Sequence, residues 1–185
     1  MGKEHEIQNF LNWFARTDFK HKIFIAGNHD FGFEHGFEID QEFKDMGVIY
    51  LQDSEVTIDG VKFYGSPWQP EFYDWAFNLP RGEKLAQKWS KIPGNTDILI
   101  THGPVYGLLD YAPHGGHVGC EELYRRVFDV KPKIHVCGHI HGAYGQKSIE
   151  GVEFLNASVL DERYEHAHKP IVVEFNTETK EVVYA

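Results

Sequence analysis

This chain has few cysteines, no long apolar run and no excess of positive charge. Two of its 185 residues are cysteines, Cys120 and Cys137, too few for the disulfide framework of a small secreted domain. No apolar run exceeds four residues, whereas a membrane-spanning helix needs about 20. The first residues do not run from a basic to an apolar segment, so no secretory signal is expected. We therefore expect a cytoplasmic protein.

The balance of charge excludes one class of partner. The chain has 18 Lys and Arg residues against 28 Asp and Glu residues, a net charge of −10. Affinity for nucleic acid comes mostly from basic side chains that neutralise phosphates, so polymeric nucleic acid is not expected as a partner. A small phosphate ligand would need a local positive charge, such as a metal ion. The 12 histidines indicate that imidazole and carboxylate, rather than thiolate, would hold such an ion.

Hydrophobic periodicity predicts one α/β domain over residues 1–185. Apolar residues spaced i, i+3, i+4, i+7 predict an amphipathic helix over about 4–15. The dipeptide Asp59-Gly60 predicts the type I′ turn of a hairpin. The other predicted helices are 37–46, 82–91 and 120–130, and the predicted strands are 22–26, 48–51, 97–101, 133–137, 146–149, 152–156, 171–175 and 181–184. Early βα alternation followed by late antiparallel strands suggests two packed sheets with helices outside.

Three short polar motifs each follow a short apolar strand. They are Gly27-Asn28-His29-Asp30, Thr101-His102-Gly103-Pro104 and Gly138-His139-Ile140-His141. Ligands of α/β sheets bind at the carboxyl ends of strands, so motifs that follow neighbouring strands converge on one pocket. One amide oxygen and three imidazoles, from Asn28, His102, His139 and His141, suit Mn, Fe, Zn, Co or Ni without selecting among them. His29 is placed to protonate a leaving oxygen, with Asp30 orienting its ring.

The three motifs, in this order, resemble those of the calcineurin-like metallophosphoesterase superfamily. Segments 65–82 and 118–141 are similar to the branch with the metallophosphoesterase-domain proteins and the class III cyclic-nucleotide phosphodiesterases. The resemblance implies a four-layer α/β/β/α sandwich with two metals in a cleft at the strand ends. It implies that Asn28, His102 and His139 bind one metal and His141 the other. It also implies that His29, with Asp30 behind it, assists the leaving group. The implied reaction is hydrolysis of a phosphodiester or small phosphomonoester by in-line attack of metal-bound hydroxide.

The chain departs from the superfamily pattern in its first part. It contains neither Asp-x-His nor Gly-Asp, the two earlier motifs that family members carry on their first two strands. By the resemblance, the sandwich lacks its first two strands, and the carboxylate that bridges two metals is missing as well. We therefore expect at most one tightly bound metal and weak or absent hydrolysis by this chain alone. We expect a homodimer or strand exchange through the bare sheet edge, or else poor solubility.

Two classes of function stay open at this point. The retained later ligands favour a metal-dependent phosphoesterase. The missing early motifs favour a degenerate relative, with one metal or none, that acts as a binding or scaffold protein. A β-lactamase-like metallohydrolase is disfavoured, because it needs His-x-His-x-Asp-His and His141 is followed by Gly-Ala-Tyr. His114 and His117, in a glycine-rich loop, are weaker candidates for contact with a substrate.

Overall fold

Two β layers lie between two groups of helices. The computed structural model describes residues 2–184 of the chain. The helices are α1 (Glu4–Ala15), α2 (Phe31–Glu34), α3 (Gln41–Asp45), α4 (Glu83–Trp89) and α5 (Glu121–Val130), with a 3₁₀ turn over His141–Ala143. The strands are β1 (Lys22–Phe24), β2 (Val48–Tyr50), β3 (Ser54–Ile58), β4 (Val61–Ser66), β5 (Gln69–Pro70), β6 (Asn78–Leu79), β7 (Ile98–Thr101), β8 (Tyr111–Ala112), β9 (Gly116–His117), β10 (Ile134–Cys137), β11 (Gly145–Ile149), β12 (Val152–Asn156), β13 (Val173–Phe175) and β14 (Val182–Tyr184).

The larger β layer is a six-stranded mixed sheet in the order β11-β12-β10-β7-β4-β3. Strands β4, β7, β10 and β12 are parallel, and antiparallel β3 and β11 form the two edges. Helices α4 and α5 cover one face, with Trp89 and Leu123 buried against Leu99 of β7. In the register, Ile100 of β7 lies beside Val136 of β10, so the carboxyl ends of these strands are neighbours. The loops that follow them are therefore brought together.

The smaller β layer is the parallel pair β1-β2, covered by α1, α2 and α3. Its contact with the larger sheet is close at Gly65 of β4. A Cβ at this position would lie 2.4 Å from Cβ of Leu51 and 2.8 Å from Cγ2 of Ile25. Only glycine allows this approach of the two layers. The predicted α/β/β/α layering is confirmed.

Several local predictions are confirmed. The first helix has the predicted bounds and buries Ile7 and Leu11. Asp59 and Gly60 both have positive φ, 49° and 77°, as a type I′ turn requires. The four late strands form within about two residues of the predicted positions. No helix within residues 2–184 has the length and apolar character needed to cross a bilayer.

The predicted helix over 37–46 is wrong in its first half. Helix α3 begins only at Gln41, because Asp40 is extended with φ −59° and ψ 150°. The preceding turn at Gly36 has φ 92° and separates α3 from α2. This break lets Phe33, Ile39 and Phe43 all enter one core cluster. Tertiary burial therefore overrides the continuous periodic pattern.

Candidate active site

The three polar motifs meet at one end of the two β layers. Asn28 follows β1, His102 follows β7, and His139 follows β10. The backbone N–H of Gly138 donates to the carbonyl of His102 at 3.0 Å, which fixes the two neighbouring loops to each other. A Cβ at Gly27 would lie 2.7 Å from Cε1 of His102, so the first motif needs its glycine to approach the second.

The centre of the site is Nε2 of His102. It lies 2.8 Å from Oδ1 of Asn28, 3.0 Å from Nδ1 of His139 and 3.3 Å from the backbone nitrogen of Asn28. An imidazole nitrogen carries either one proton or one lone pair. A proton would serve the amide oxygen of Asn28, whereas a lone pair would serve its backbone N–H. Three atoms that each carry a lone pair therefore lie within hydrogen-bond distance of Nε2 of His102 or include it, and one proton cannot satisfy them all.

This donor set fits a divalent cation of the N/O-binding class. Oδ1 of Asn28, Nε2 of His102 and Nδ1 of His139 each offer a lone pair toward one place. His139 adopts φ 70°, a left-handed conformation that is strained for a non-glycine residue. Such strain persists where surrounding structure enforces it, often at functional sites. The residues present thus fit a single metal held by three ligands.

Both histidines are held in the form that binds metals. Burial lowers the pKa of His102 well below its ordinary value, and the neighbouring His139 adds to the effect. Burial lowers the pKa of His139 to about 4, with the charges of His141 and His29 as further causes. At neutral pH both rings are uncharged, and neutral imidazole is the ligand form.

His29 lies beside this donor set. Its Nε2 is 3.2 Å from Nδ2 of Asn28, and its ring meets the ring of Trp75 at a centroid distance of 5.5 Å. The side chain of Asp30 has a different partner from the one expected, since its Oδ2 accepts the backbone N–H of Gly27 at 2.7 Å. Burial raises the pKa of Asp30, while this hydrogen bond and the charge of His29 oppose the rise. Asp30 thus closes the loop that presents Asn28 and His29, and its effect on the His29 ring stays a prediction.

His141 lines the same cleft but not the same cluster. Its Nδ1 donates to the carbonyl of Asp161 at 2.8 Å, which leaves Nε2 for a ligand. The cleft has a volume of about 320 Å³. Its walls include Asn28, His29, Trp75, His102, Ala112, Pro113, His139, Ile140, His141, Gly142, Glu162 and Tyr164. Across residues 2–184, no group of three or more His, Cys, Asp or Glu side chains is arranged to hold a metal, so the three-ligand set depends on the amide of Asn28.

Sequence reasoning missed two residues of the cleft, Glu162 and Tyr164. Both come from the segment after β12, and the ring of Tyr164 packs against His141 at a centroid distance of 5.1 Å. Neither belongs to a strand-end motif, so no local signal marks them. The hydrogen bond from the His141 ring to the backbone of Asp161 brings this segment over the cleft.

The two weaker candidates from the glycine-rich loop separate in the structure. His114 lines a second cavity that adjoins the cleft. His117 instead pairs with Asp110, with Nδ1 2.7 Å from Oδ1. Asp110 is 1% exposed and accepts two backbone N–H groups as well. His117 therefore belongs to a loop-stabilising cluster.

The layered α/β fold brings one amide and two imidazoles together at the carboxyl ends of β1, β7 and β10. The family model for calcineurin-like phosphoesterases matches residues 2–143. The chain belongs to the calcineurin-like phosphoesterase family.

Curated relatives agree with this assignment. The chain is 41% identical over 201 aligned positions to metallophosphoesterase domain-containing protein 1 of Homo sapiens, with 96% of this chain and 62% of the relative covered. The Mus musculus protein of the same name gives the same values. A UPF0046 protein of Caenorhabditis elegans is 33% identical, with 94% of this chain and 51% of the relative covered. The chain thus spans between about half and three fifths of the length of these relatives.

Solved structures share the fold at low sequence identity. The crystal structure of the protein TT1561 of Thermus thermophilus superposes with a TM-score of 0.61 at 10% identity, over 99% of this chain and 79% of that one. Another crystal structure gives a TM-score of 0.65 at 14% identity, over 83% of this chain and 63% of that one. At these identities the likeness shows the architecture alone.

Proposed function

We propose that this chain is a metal-dependent phosphoesterase that hydrolyses a phosphodiester or a small phosphomonoester. The observation that carries the proposal is the convergence of Oδ1 of Asn28, Nε2 of His102 and Nδ1 of His139. Membership of the calcineurin-like phosphoesterase family supports the reaction class. A bound Mn, Fe, Zn, Co or Ni ion would supply a Lewis acid that activates water and neutralises charge on the phosphoryl oxygens.

The residues of this chain divide the remaining work. Asn28, His102 and His139 hold the cation, while the cleft leaves room for a phosphoryl group beside them. His29 lies next to Asn28 and donates a proton to the leaving oxygen. The ring of Trp75 packs on both His29 and His139 and limits the orientations of these imidazoles.

A second function is favoured by one feature of the site. In the part of the chain that the structure describes, the three converging atoms include no carboxylate oxygen, and His141 stands apart from them. Two cations held close together repel each other unless an anionic ligand bridges them. The alternative is therefore a protein that binds one metal or none and acts as a binding or scaffold protein.

The decisive experiment combines metal content with turnover. The purified chain is freed of metal, reloaded with Mn²⁺ or Zn²⁺ and assayed on bis(4-nitrophenyl) phosphate and on an alkyl phosphate diester. The phosphoesterase is expected to gain activity only with metal. His29→Ala should lower turnover of the alkyl ester by roughly 10²–10⁴, the usual contribution of a general acid, with metal content unchanged. The aryl ester should lose less, because its leaving group needs little proton assistance.

A matched control variant shows that the effect depends on the position of His29 and not on the loss of any histidine. His21 is exposed and lies outside the cleft, so His21→Ala should leave both activity and metal content unchanged. Metal binding without turnover of either ester would support the scaffold alternative. Full activity of His29→Ala on the alkyl ester would refute the role of His29.

A further inference from the structure

A second and larger cavity continues from the cleft. Its volume is about 760 Å³, within the range of pockets that hold small organic ligands. Six residues line both cavities: Trp75, Ala112, Pro113, His139, Ile140 and Glu162. A phosphate ester bound at His102 and His139 would therefore extend its organic group into this space.

One wall of this cavity is a cluster of three aromatic rings. The ring centroids of Phe72 and Tyr73 are 4.3 Å apart, and those of Phe72 and Trp75 are 5.2 Å apart, both in edge-to-face contact. Phe72 is 54% exposed and Tyr73 is 73% exposed, although such rings gain free energy by burial. Trp75 connects the cluster to the chemistry, because its ring also contacts His29.

The aromatic wall is fixed in place. Nδ2 of Asn78 donates to the carbonyls of Phe72, at 3.2 Å, and Tyr73, at 2.7 Å. Tyr73 adopts φ 49°, so the chain is held in a strained left-handed conformation at the tip. A preorganised ring surface binds a ligand without the cost of ordering a loop.

The charges around the cavity disfavour a second anionic group. Two acidic residues, Glu71 and Glu162, are among the residues that line it. Among the wall residues of the described chain, Arg81 alone has a permanently charged basic group, and its guanidinium is already engaged. It donates to the carbonyls of Val118 and Gly119 and to the carboxylate of Glu121. A polyphosphate would meet uncompensated carboxylates here, whereas a flat apolar group would meet rings.

We propose that this cavity binds the organic group of the substrate and selects esters in which that group is flat, apolar and uncharged, as in an aryl ester. The selection comes from stacking on Phe72, Tyr73 and Trp75 and from repulsion of further anionic groups by Glu71 and Glu162. This inference rests on the proposed function for the phosphate half of the ligand and on the second cavity for the organic half.

The test measures binding rather than turnover. Calorimetry on the Mn²⁺-loaded chain compares methylphosphonate, 2-naphthylmethylphosphonate and 4-(phosphonomethyl)benzoate, none of which the proposed reaction cleaves. The naphthyl compound is expected to bind roughly tenfold more tightly than methylphosphonate, because it adds an aromatic contact. The benzoate should bind more weakly than the naphthyl compound, because its carboxylate cannot chelate the same metal and would face Glu71 and Glu162. A neutral probe, 2-naphthalenemethanol, is followed by NMR at the indole N–H signals, and Trp75→Phe identifies the signal that should shift.

Matched variants locate the effect. Phe72→Ala should remove most of the tenfold preference, whereas Phe19→Ala, at a ring that is 70% exposed and outside the cavity, should keep it. Equal affinities for methylphosphonate and the naphthyl compound, with no shift of the Trp75 signal by the neutral probe, would overturn the inference and leave the proposed function standing. Binding of the neutral probe at Trp75 without binding of any phosphonate would support the aromatic subsite and overturn the proposed function.

Discussion

Two polar clusters near the carboxyl ends of the strands are built in opposite ways. Around Asp110, each carboxylate oxygen has a suitable hydrogen-bond partner. Oδ2 accepts the backbone N–H groups of Gly107 and Gly119, at 2.9 and 3.0 Å, and Oδ1 faces Nδ1 of His117. Around Nε2 of His102, an oxygen acceptor, an imidazole nitrogen and a backbone N–H compete for one atom. Buried polar groups are nearly always satisfied in native proteins. A satisfied cluster therefore indicates a structural role, and a cluster with competing partners indicates a ligand-binding role.

The largest expected effect tests this contrast directly. His102→Ala should weaken the affinity for Zn²⁺ or Mn²⁺ by roughly 10²–10³, since a four-ligand zinc site gains about 10–16 kcal/mol in all. His117→Ala removes an imidazole from the satisfied cluster and should leave the affinity within about twofold. Calorimetric titration of both variants with metal measures the difference. Equal losses in the two variants would show that the contrast has no functional meaning.

The satisfied cluster should reveal itself in stability instead. Asp110→Ala leaves two backbone N–H groups without their acceptor in a site where the native side chain is 1% exposed. Each unsatisfied buried group costs about 1–3 kcal/mol, so the free energy of unfolding should fall by about 2–6 kcal/mol. Urea denaturation measures it, and the metal affinity of the folded fraction should be unchanged. A stable variant that loses its metal would reverse the assignment of the two clusters.

The sequence predicts the cluster with competing partners better than the satisfied one. Asn28, His102 and His139 each come within about two residues of the end of a predicted strand, and the carboxyl ends of packed strands come together. Asp110 and His117 lie in a glycine-rich loop, where pairing depends on the path of the backbone. Glu162 reaches the cleft from a distant segment for the same reason. Position in a regular element can be read from a pattern, whereas position in a long loop follows from tertiary contacts.

One edge of the smaller sheet bears on the predicted homodimer. The backbone N–H of Lys22 donates to the carbonyl of Gly47, and the carbonyl of Phe24 accepts from Leu51, so both groups of β1 face β2. The homodimer expected through the opposite edge of β1 stays a prediction, and a sizing column would test it. The cytoplasmic location stays a prediction as well.

A third buried polar group is intermediate between the two clusters. His135 is 1% exposed, and its Nε2 donates to Oγ1 of Thr101 at 2.8 Å, because this hydroxyl already donates to the carbonyl of Gly103. Its Nδ1 has no hydrogen-bond partner within the described residues. Burial lowers the pKa of His135 to about 3. One nitrogen is satisfied, and the other would become an uncompensated charge if it were protonated.

This predicts a pH dependence with a definite sign. The unfolded chain binds a proton at His135 near pH 6.5, but the folded chain does so only near pH 3. His135 therefore has no effect on the pH dependence above about pH 6.5. As the pH falls from there toward 3, the unfolded chain takes up a proton that the folded chain does not, so the free energy of unfolding falls by about 1.4 kcal/mol per pH unit. His135→Gln should remove this slope. Urea denaturation of the unmodified chain and the variant at several values between pH 4.5 and 7.5 gives two curves of unfolding free energy. The acid dependence of His102 and His139 is common to both curves and cancels when they are subtracted. Parallel curves would mean that His135 is protonated inside the fold.

The smallest expected effect concerns Asp30, which combines features of both clusters. Its Oδ2 satisfies the backbone N–H of Gly27, as Asp110 satisfies its loop, yet its carboxylate lies beside the proposed acid His29. Asp30→Asn keeps an oxygen acceptor for Gly27, so the free energy of unfolding and the metal content should change little. It removes a negative charge beside the proposed acid His29, so turnover of an alkyl phosphate diester should fall by about tenfold, which corresponds to about 1.4 kcal/mol. Turnover, metal content and urea denaturation are measured on the same preparation. A variant that loses turnover, metal and stability together would show that Asp30 acts only through the shape of the loop, as Asp110 does.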